Sequence, residues 1–180
     1  MLRDKKGVTL VELLVVMTIM VILSGIGFSM RSWQNKYKVE KETDILYTDI
    51  LNAKVRAIQT NRIHFVFMSS NVVGGKTTYF YYVVDDTATA PDGDRTMFIS
   101  GANADTKLFQ RTISYPFSIT SSAGVIARFE FTKDGMLMNQ SWVSIRLVNT
   151  FKPDYDCIYL DLTRTRMGAW DTSTSTCVLK

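Results

Sequence analysis

Side chains able to do nucleophilic or metal chemistry are scarce in this chain. Its 180 residues hold one histidine, His64, and two cysteines, Cys157 and Cys177. Zinc and iron sites draw on several such ligands, so most metalloenzyme and thiol chemistry is excluded. A Ser-His-Asp arrangement would have to be built on His64. That residue lies in Ile63-His64-Phe65-Val66-Phe67-Met68, an apolar run rich in strand formers, which predicts a strand histidine with no catalytic task. Gly75-Lys76-Thr77 has the ending of a phosphate loop, but the first glycine of G-x-x-x-x-G-K-[ST] falls on Ser70, and a hairpin is the better reading. Asp85, Asp86, Asp92 and Asp94 offer oxygen ligands for Ca²⁺, yet their spacing fits no EF-hand loop and Asp is an ordinary turn residue. Catalytic carboxylate pairs are defined by separation in space, so none is nominated. No catalytic residue, metal or cofactor is assigned, and the chain reads as something other than an enzyme.

Arg164 and Arg166 are two residues apart. On a strand both guanidinium groups face one side, where they would meet consecutive phosphates of DNA. Lys and Arg total 21 against 17 Asp and Glu, a net charge of +4, with no long basic run to make nucleic acid the main partner. Solvated arginines on an edge strand also serve to discourage aggregation.

The elements that must carry these residues follow from hydropathy. A chain that is 46% hydrophobic and 12% aromatic with three prolines suits one globular domain plus one extended or membrane-spanning element. Residues 8–30 are predominantly apolar and hold a single charged side chain, Glu12. As a helix they reach about 35 Å, enough for a hydrocarbon core of about 30 Å. Arg3, Lys5 and Lys6 precede them, which holds the N-terminus in the cytoplasm and sends the rest across the membrane. A secretory signal would have a shorter apolar core and a small-residue cleavage site after it, so removal of this helix is not expected. An ionised carboxylate in such a helix costs about 2.5 to 3.5 kcal/mol on insertion scales and persists where it has a partner or a task.

The stretch Lys5-Lys6-Gly7-Val8-Thr9-Leu10-Val11-Glu12-Leu13-Leu14 resembles the type IV prepilin signal. The resemblance implies a leader over residues 1–7, cleavage between Gly7 and Val8 by prepilin peptidase, and N-methylation at Val8, where the family usually has Phe. It also implies that Glu12 is the fifth mature residue. The freed amine at Val8 and the carboxylate of Glu12 lie about one helical turn apart, so one subunit's amine can pair with a neighbour's Glu12 when helices stagger in a bundle. Desolvation of an unpaired carboxylate then favours assembly.

After residue 31 polarity rises while helical spacing continues. Leu46, Ile50, Ala53 and Ala57 mark an apolar stripe, and the helix is predicted to run to about Asn61. Ser24, Gly25 and Gly27 lower helix propensity and would permit a bend. Beyond it, short runs rich in Val, Ile, Thr, Phe and Tyr predict strands at 63–68, 77–84, 96–100, 107–113, 125–131, 142–148 and 157–162. Turns are expected at Asn71-Val72-Val73-Gly74-Gly75 and Lys133-Asp134-Gly135. The fold class is α+β: a long N-terminal helix, membrane-spanning over 8–30 and amphipathic over 31–61, packed on an antiparallel sheet domain over 62–180.

The helical segment 51–61, the turn Phe131-Thr132-Lys133-Asp134-Gly135 and the late Thr163-Arg164-Thr165-Arg166 are similar to the GspH/FimT family of minor pilins and pseudopilins. Thr163 stands where members often have Gly. The resemblance implies a pilin-like fold and a subunit of a type IV pilus or a type II secretion pseudopilus, assembled through its helix in the priming or tip complex. The implied partners are prepilin peptidase, other major and minor pilins or pseudopilins, and the inner membrane, with DNA uptake through Arg164 and Arg166 as the alternative. The implied location is the inner membrane, single-pass with a periplasmic C-terminal domain, and then the filament. Two cysteines in an exported domain are most simply one disulfide, Cys157 to Cys177, the alternative being two unlinked thiols. Closing that loop would contribute about 3 kcal/mol in the chain-entropy model and staple the Ser/Thr-rich tail. A C-terminal disulfide loop resembles type IV pilins more than GspH pseudopilins.

Overall fold

A computed structural model describes residues 9–87 and 105–180, the side chains of 25–32 excepted. The helix α1 (Leu10–Thr60) has 51 residues, about 76 Å at about 1.5 Å per residue, and runs through Ser24, Gly25 and Gly27 without a break in its assignment. It stops where the sequence supplies a residue tolerant of left-handed backbone. Asn61 has φ 55° and donates its N–H to the Ala57 carbonyl.

Ten strands follow among the described residues: β1 (His64–Val73), β2 (Lys76–Asp85), β3 (Thr106–Ile113), β4 (Phe117–Ser121), β5 (Gly124–Val125), β6 (Arg128–Phe131), β7 (Trp142–Leu147), β8 (Cys157–Asp161), β9 (Thr165–Asp171) and β10 (Thr176–Leu179). They form two antiparallel sheets, ordered β3-β2-β1-β6 and β10-β9-β8-β7-β4-β5. The β1–β2 hairpin turns on Gly74 and Gly75, both at positive φ, as two-residue turns of this hand require. The expected strand 96–100 lies outside the described residues.

Three expectations are corrected. Residues 125–131 do not make one strand: Val125 ends β5 in the second sheet, and Arg128 begins β6 in the first, where it pairs with Phe67 of β1. Phe117–Ser121 and the last two strands, β9 and β10, were not expected. Arg164 is not on a strand with Arg166. It closes the β8–β9 hairpin, its carbonyl accepting from Asp161 N at 2.7 Å, while Arg166 lies on β9 opposite Tyr159. Outside glycine, positive φ among the described residues occurs at Asn61, Asn139, Lys152 and Ser175, so Thr163 serves in that hairpin without left-handed backbone.

One core joins α1 to both sheets. Val39, Thr43, Leu46, Ile50, Ala53 and Ala57 are buried at alternating spacings of four and three, one continuous stripe. Against them pack Val66, Met68, Phe129 and Phe131 from the first sheet and Ile145, Leu147, Ile158 and Leu160 from the second. Gly135, in the turn after β6, comes so close to the helix that an added Cβ would sit 2.7 Å from Ile58 Cδ1, and its φ is +73°. The Phe131–Gly135 turn is therefore fixed by its contact with the last turns of α1.

Candidate assembly site at the helix N-terminus

The start of α1 is set by Thr9. Its backbone is extended (ψ 151°), its hydroxyl accepts from Glu12 N at 3.2 Å, and its carbonyl accepts from Leu13 N at 3.1 Å. Thr-x-x-Glu is the spacing of a capping box, so the residues that start the helix also put the carboxylate of Glu12 in its first turn, beside the positive end of the helix dipole. The carboxylate is exposed, and so are the apolar side chains after it, Leu10 at 81% and Val21 at 72% among them. From Val39 on, α1 buries its stripe in its own domain, whereas this first part offers a bare apolar surface with one negative charge. Residues 1–8, Gly7 and Val8 among them, lie outside the described residues.

No helix among the described residues is long and apolar enough to cross a membrane. The apolar side chains described at the start of α1 cover residues 10–24, short of the about 20 residues that a span takes.

The other half of the helix is tied to the domain by polar contacts. Asp49 accepts from Tyr81 Oη at 2.6 Å and pairs with Arg111 Nε at 2.7 Å, joining α1 to β2 and β3. Burial and the neighbouring carboxylate hold the Tyr81 hydroxyl far above its ordinary pKa. Glu42 accepts from Ser114 N at 3.0 Å, Glu40 accepts from Asp154 N at 2.8 Å, and Lys54 Nζ donates to the Thr163 carbonyl at 2.5 Å. Sequence reasoning missed this set. Its one visible signal was Asp49 beside the stripe residues Leu46, Ile50 and Ala53, a position that buries a carboxylate.

The remaining candidates fall elsewhere. His64 is buried at the start of β1, its Nδ1 3.4 Å from the Arg62 carbonyl and 4.0 Å from Asp85 Oδ1. Burial lowers its pKa against the pull of Asp85, so the ring is neutral near pH 7 and that contact is no ion pair. Asp85 faces Arg62 at 3.7 Å; Asp92 and Asp94 lie outside the described residues. Among the described residues no group of three or more His, Cys, Asp or Glu side chains could hold a metal ion. Arg164 and Arg166 are both exposed, one on the hairpin and one on the sheet. Cys157 and Cys177 form a disulfide with a Cα–Cα distance of 5.9 Å, which fastens β10 to β8 across β9.

The prokaryotic N-terminal methylation motif matches residues 2–28, the stretch that holds Gly7, Val8, the Thr9 cap and Glu12. No curated protein and no solved structure matches the chain. The motif match supports a type IV pilin-like protein: a subunit of the pilin or pseudopilin type that prepilin peptidase processes and that assembles with other pilins.

Proposed function

We propose that this chain is a minor pilin or pseudopilin of the GspH/FimT kind, a structural subunit of a type IV pilus or a type II secretion pseudopilus. Prepilin peptidase removes residues 1–7 between Gly7 and Val8, and Val8 becomes the N-methylated terminus. Residues 8–30 anchor the subunit in the inner membrane with a single pass, the domain in the periplasm, and then form the filament core within the priming or tip complex. The observation that carries this reading is the division of α1. Its stripe from Val39 to Ala57 is buried in its own domain, while its apolar start, with Glu12 in the first turn, is left exposed for neighbouring helices. The GspH/FimT assignment draws support from the Phe131–Gly135 turn seated on Ile58 and from the basic Arg164 and Arg166 after β8. Glu12, one turn from the new amine, would pair with a neighbour's terminus in a setting where an unpaired carboxylate is costly.

The test is the intact mass and N-terminal residue of the protein from membranes of cells with and without prepilin peptidase. Loss of residues 1–7 and gain of one methyl group only with the peptidase is the expected result. Persistence of Met1 in both would sink the reading. Glu12→Ala is expected to be processed normally and to be absent from sheared filaments.

A further inference from the structure

The outward face of the second sheet, turned away from α1, carries a cleft that the assembly reading does not use. Strand alternation puts Ile119, Ile145 and Ile158 in the core and brings Thr120, Ser144, Tyr159 and Trp142 out on the other side. The Trp142 and Tyr159 rings lie nearly parallel, 16° apart in plane with centroids separated by 6.2 Å, and both line the cleft. Trp170 stands as the third wall. Its backbone N–H donates to the buried Asp156 at 2.6 Å, the Arg146 guanidinium sits 4.9 Å from its ring centroid, and it lies opposite the disulfide-bonded Cys177 in the β9–β10 register. The cleft has a volume of about 230 Å³ and is open to solvent, and Thr120, Ser144 and Thr176 supply hydroxyls to the lining.

Two features select a ligand class. The residues that line the cleft carry no charge; around them Arg146 is engaged on Trp170, Asp161 lies beside Trp142 across the β7–β8 register, and Arg166 lies beside Tyr159 across the β8–β9 register. The lining offers aromatic faces and hydroxyls, and the C–H face of a sugar ring is attracted to the negative face of an aromatic ring. The second feature is Ser144, which is buried just under the cleft floor and whose Oγ has no hydrogen-bond partner. Buried hydroxyls are normally paired, and one χ1 rotation would offer this one to a ligand hydroxyl. The cleft is smaller than the about 300 Å³ at which sites for drug-sized ligands begin, which suits one ring.

We propose that this cleft binds a neutral pyranose ring of a glycan, stacked on Trp142 and Tyr159, bounded by Trp170 and hydrogen-bonded through Ser144. The site is independent of whether the chain assembles into a filament.

The test is calorimetric titration of the full chain, in a detergent without a sugar head group, with cellotriose, chitotriose, maltotriose and a thymidine dodecanucleotide. At least one trisaccharide is expected to saturate. Trp142→Ala and Tyr159→Ala are each expected to weaken it about tenfold or more. Ser144→Ala is expected to weaken binding without lowering the Tm, since it removes a hydroxyl that has no partner in the free protein. Saturation by none of the three sugars, saturation by the dodecanucleotide alone, or unchanged sugar binding in Ser144→Ala and Trp142→Ala overturns the proposal.

Discussion

Asp49 and Tyr81, 32 positions apart in sequence, meet at 2.6 Å between the helix and the first sheet, and the tyrosine hydroxyl donates to a carboxylate that is almost wholly buried. Arg111 completes the trio from β3 at 2.7 Å. Tyr81→Phe leaves Asp49 with one partner fewer, and a loss of about 1–3 kcal/mol is expected in urea unfolding. Asp49→Ala strands the buried hydroxyl as well and should cost about 3 kcal/mol. A midpoint unchanged in both variants would show that the trio does not hold the helix to the sheet.

His64 makes stability depend on pH. Burial is the largest influence on its ring and lowers the pKa below the ordinary 6.5; Arg56 and Arg62 act in the same direction, while Asp85 and the Arg62 carbonyl oppose it. The folded state therefore holds fewer protons than the unfolded chain below pH 6.5, and this residue's contribution to stability falls as pH falls through that value. His64→Leu is expected to flatten the slope of unfolding free energy below about pH 6.5. An identical slope in the variant and the parent would refute the assignment.

The disulfide closes a loop between residues 20 apart in sequence, and opening it by Cys157→Ala with Cys177→Ala should cost about 3 kcal/mol. Hydrogen exchange is expected to quicken first in β10, whose backbone pairs with β9 alone. Exchange that quickens uniformly across both sheets would argue against this local effect.

Gly135→Ala brings a methyl group onto Ile58 and places an alanine at φ +73°, for an expected loss of about 1–3 kcal/mol. Ile58→Ala relieves the overlap but not the backbone strain. In a double-mutant cycle the two changes should then couple favourably, with part of the loss remaining. Simple additivity would show that the contact is not felt.

How far the sequence could be read depended on how local each determinant is. The helix stripe and the stop at Asn61 are local, and Leu46, Ile50, Ala53 and Ala57 are all buried as their spacing predicts. The run 125–131 looked like one strand because its residues favour extended backbone throughout. It divides because Arg128 to Phe131 find their partners on β1, more than 60 positions earlier, whereas Val125 pairs with Thr120. β9 was hidden because Thr163-Arg164 carries no Gly, Pro, Asn or Asp to mark the hairpin turn that parts it from β8. At the N-terminus the helix was expected from residue 8 and begins at Leu10, because Thr9 caps it through the Thr9 and Glu12 spacing, a signal written in four consecutive residues. The polar ties from Glu40, Glu42 and Asp49 were not legible, because each depends on a backbone amide or side chain that only the tertiary fold brings near.

Those ties give the molecule a mechanical character. Glu40, Glu42, Asp49 and Lys54 are spread along about 21 Å of α1, and each is bonded to a different part of the domain: residues 154, 114, 81 with 111, and 163. A pull on the helix along its axis loads these bonds side by side, together with the buried stripe, in shear. None of them can be peeled away first, so a rod drawn lengthwise carries its domain with it, while a sideways pull at Asn61 would meet them one at a time.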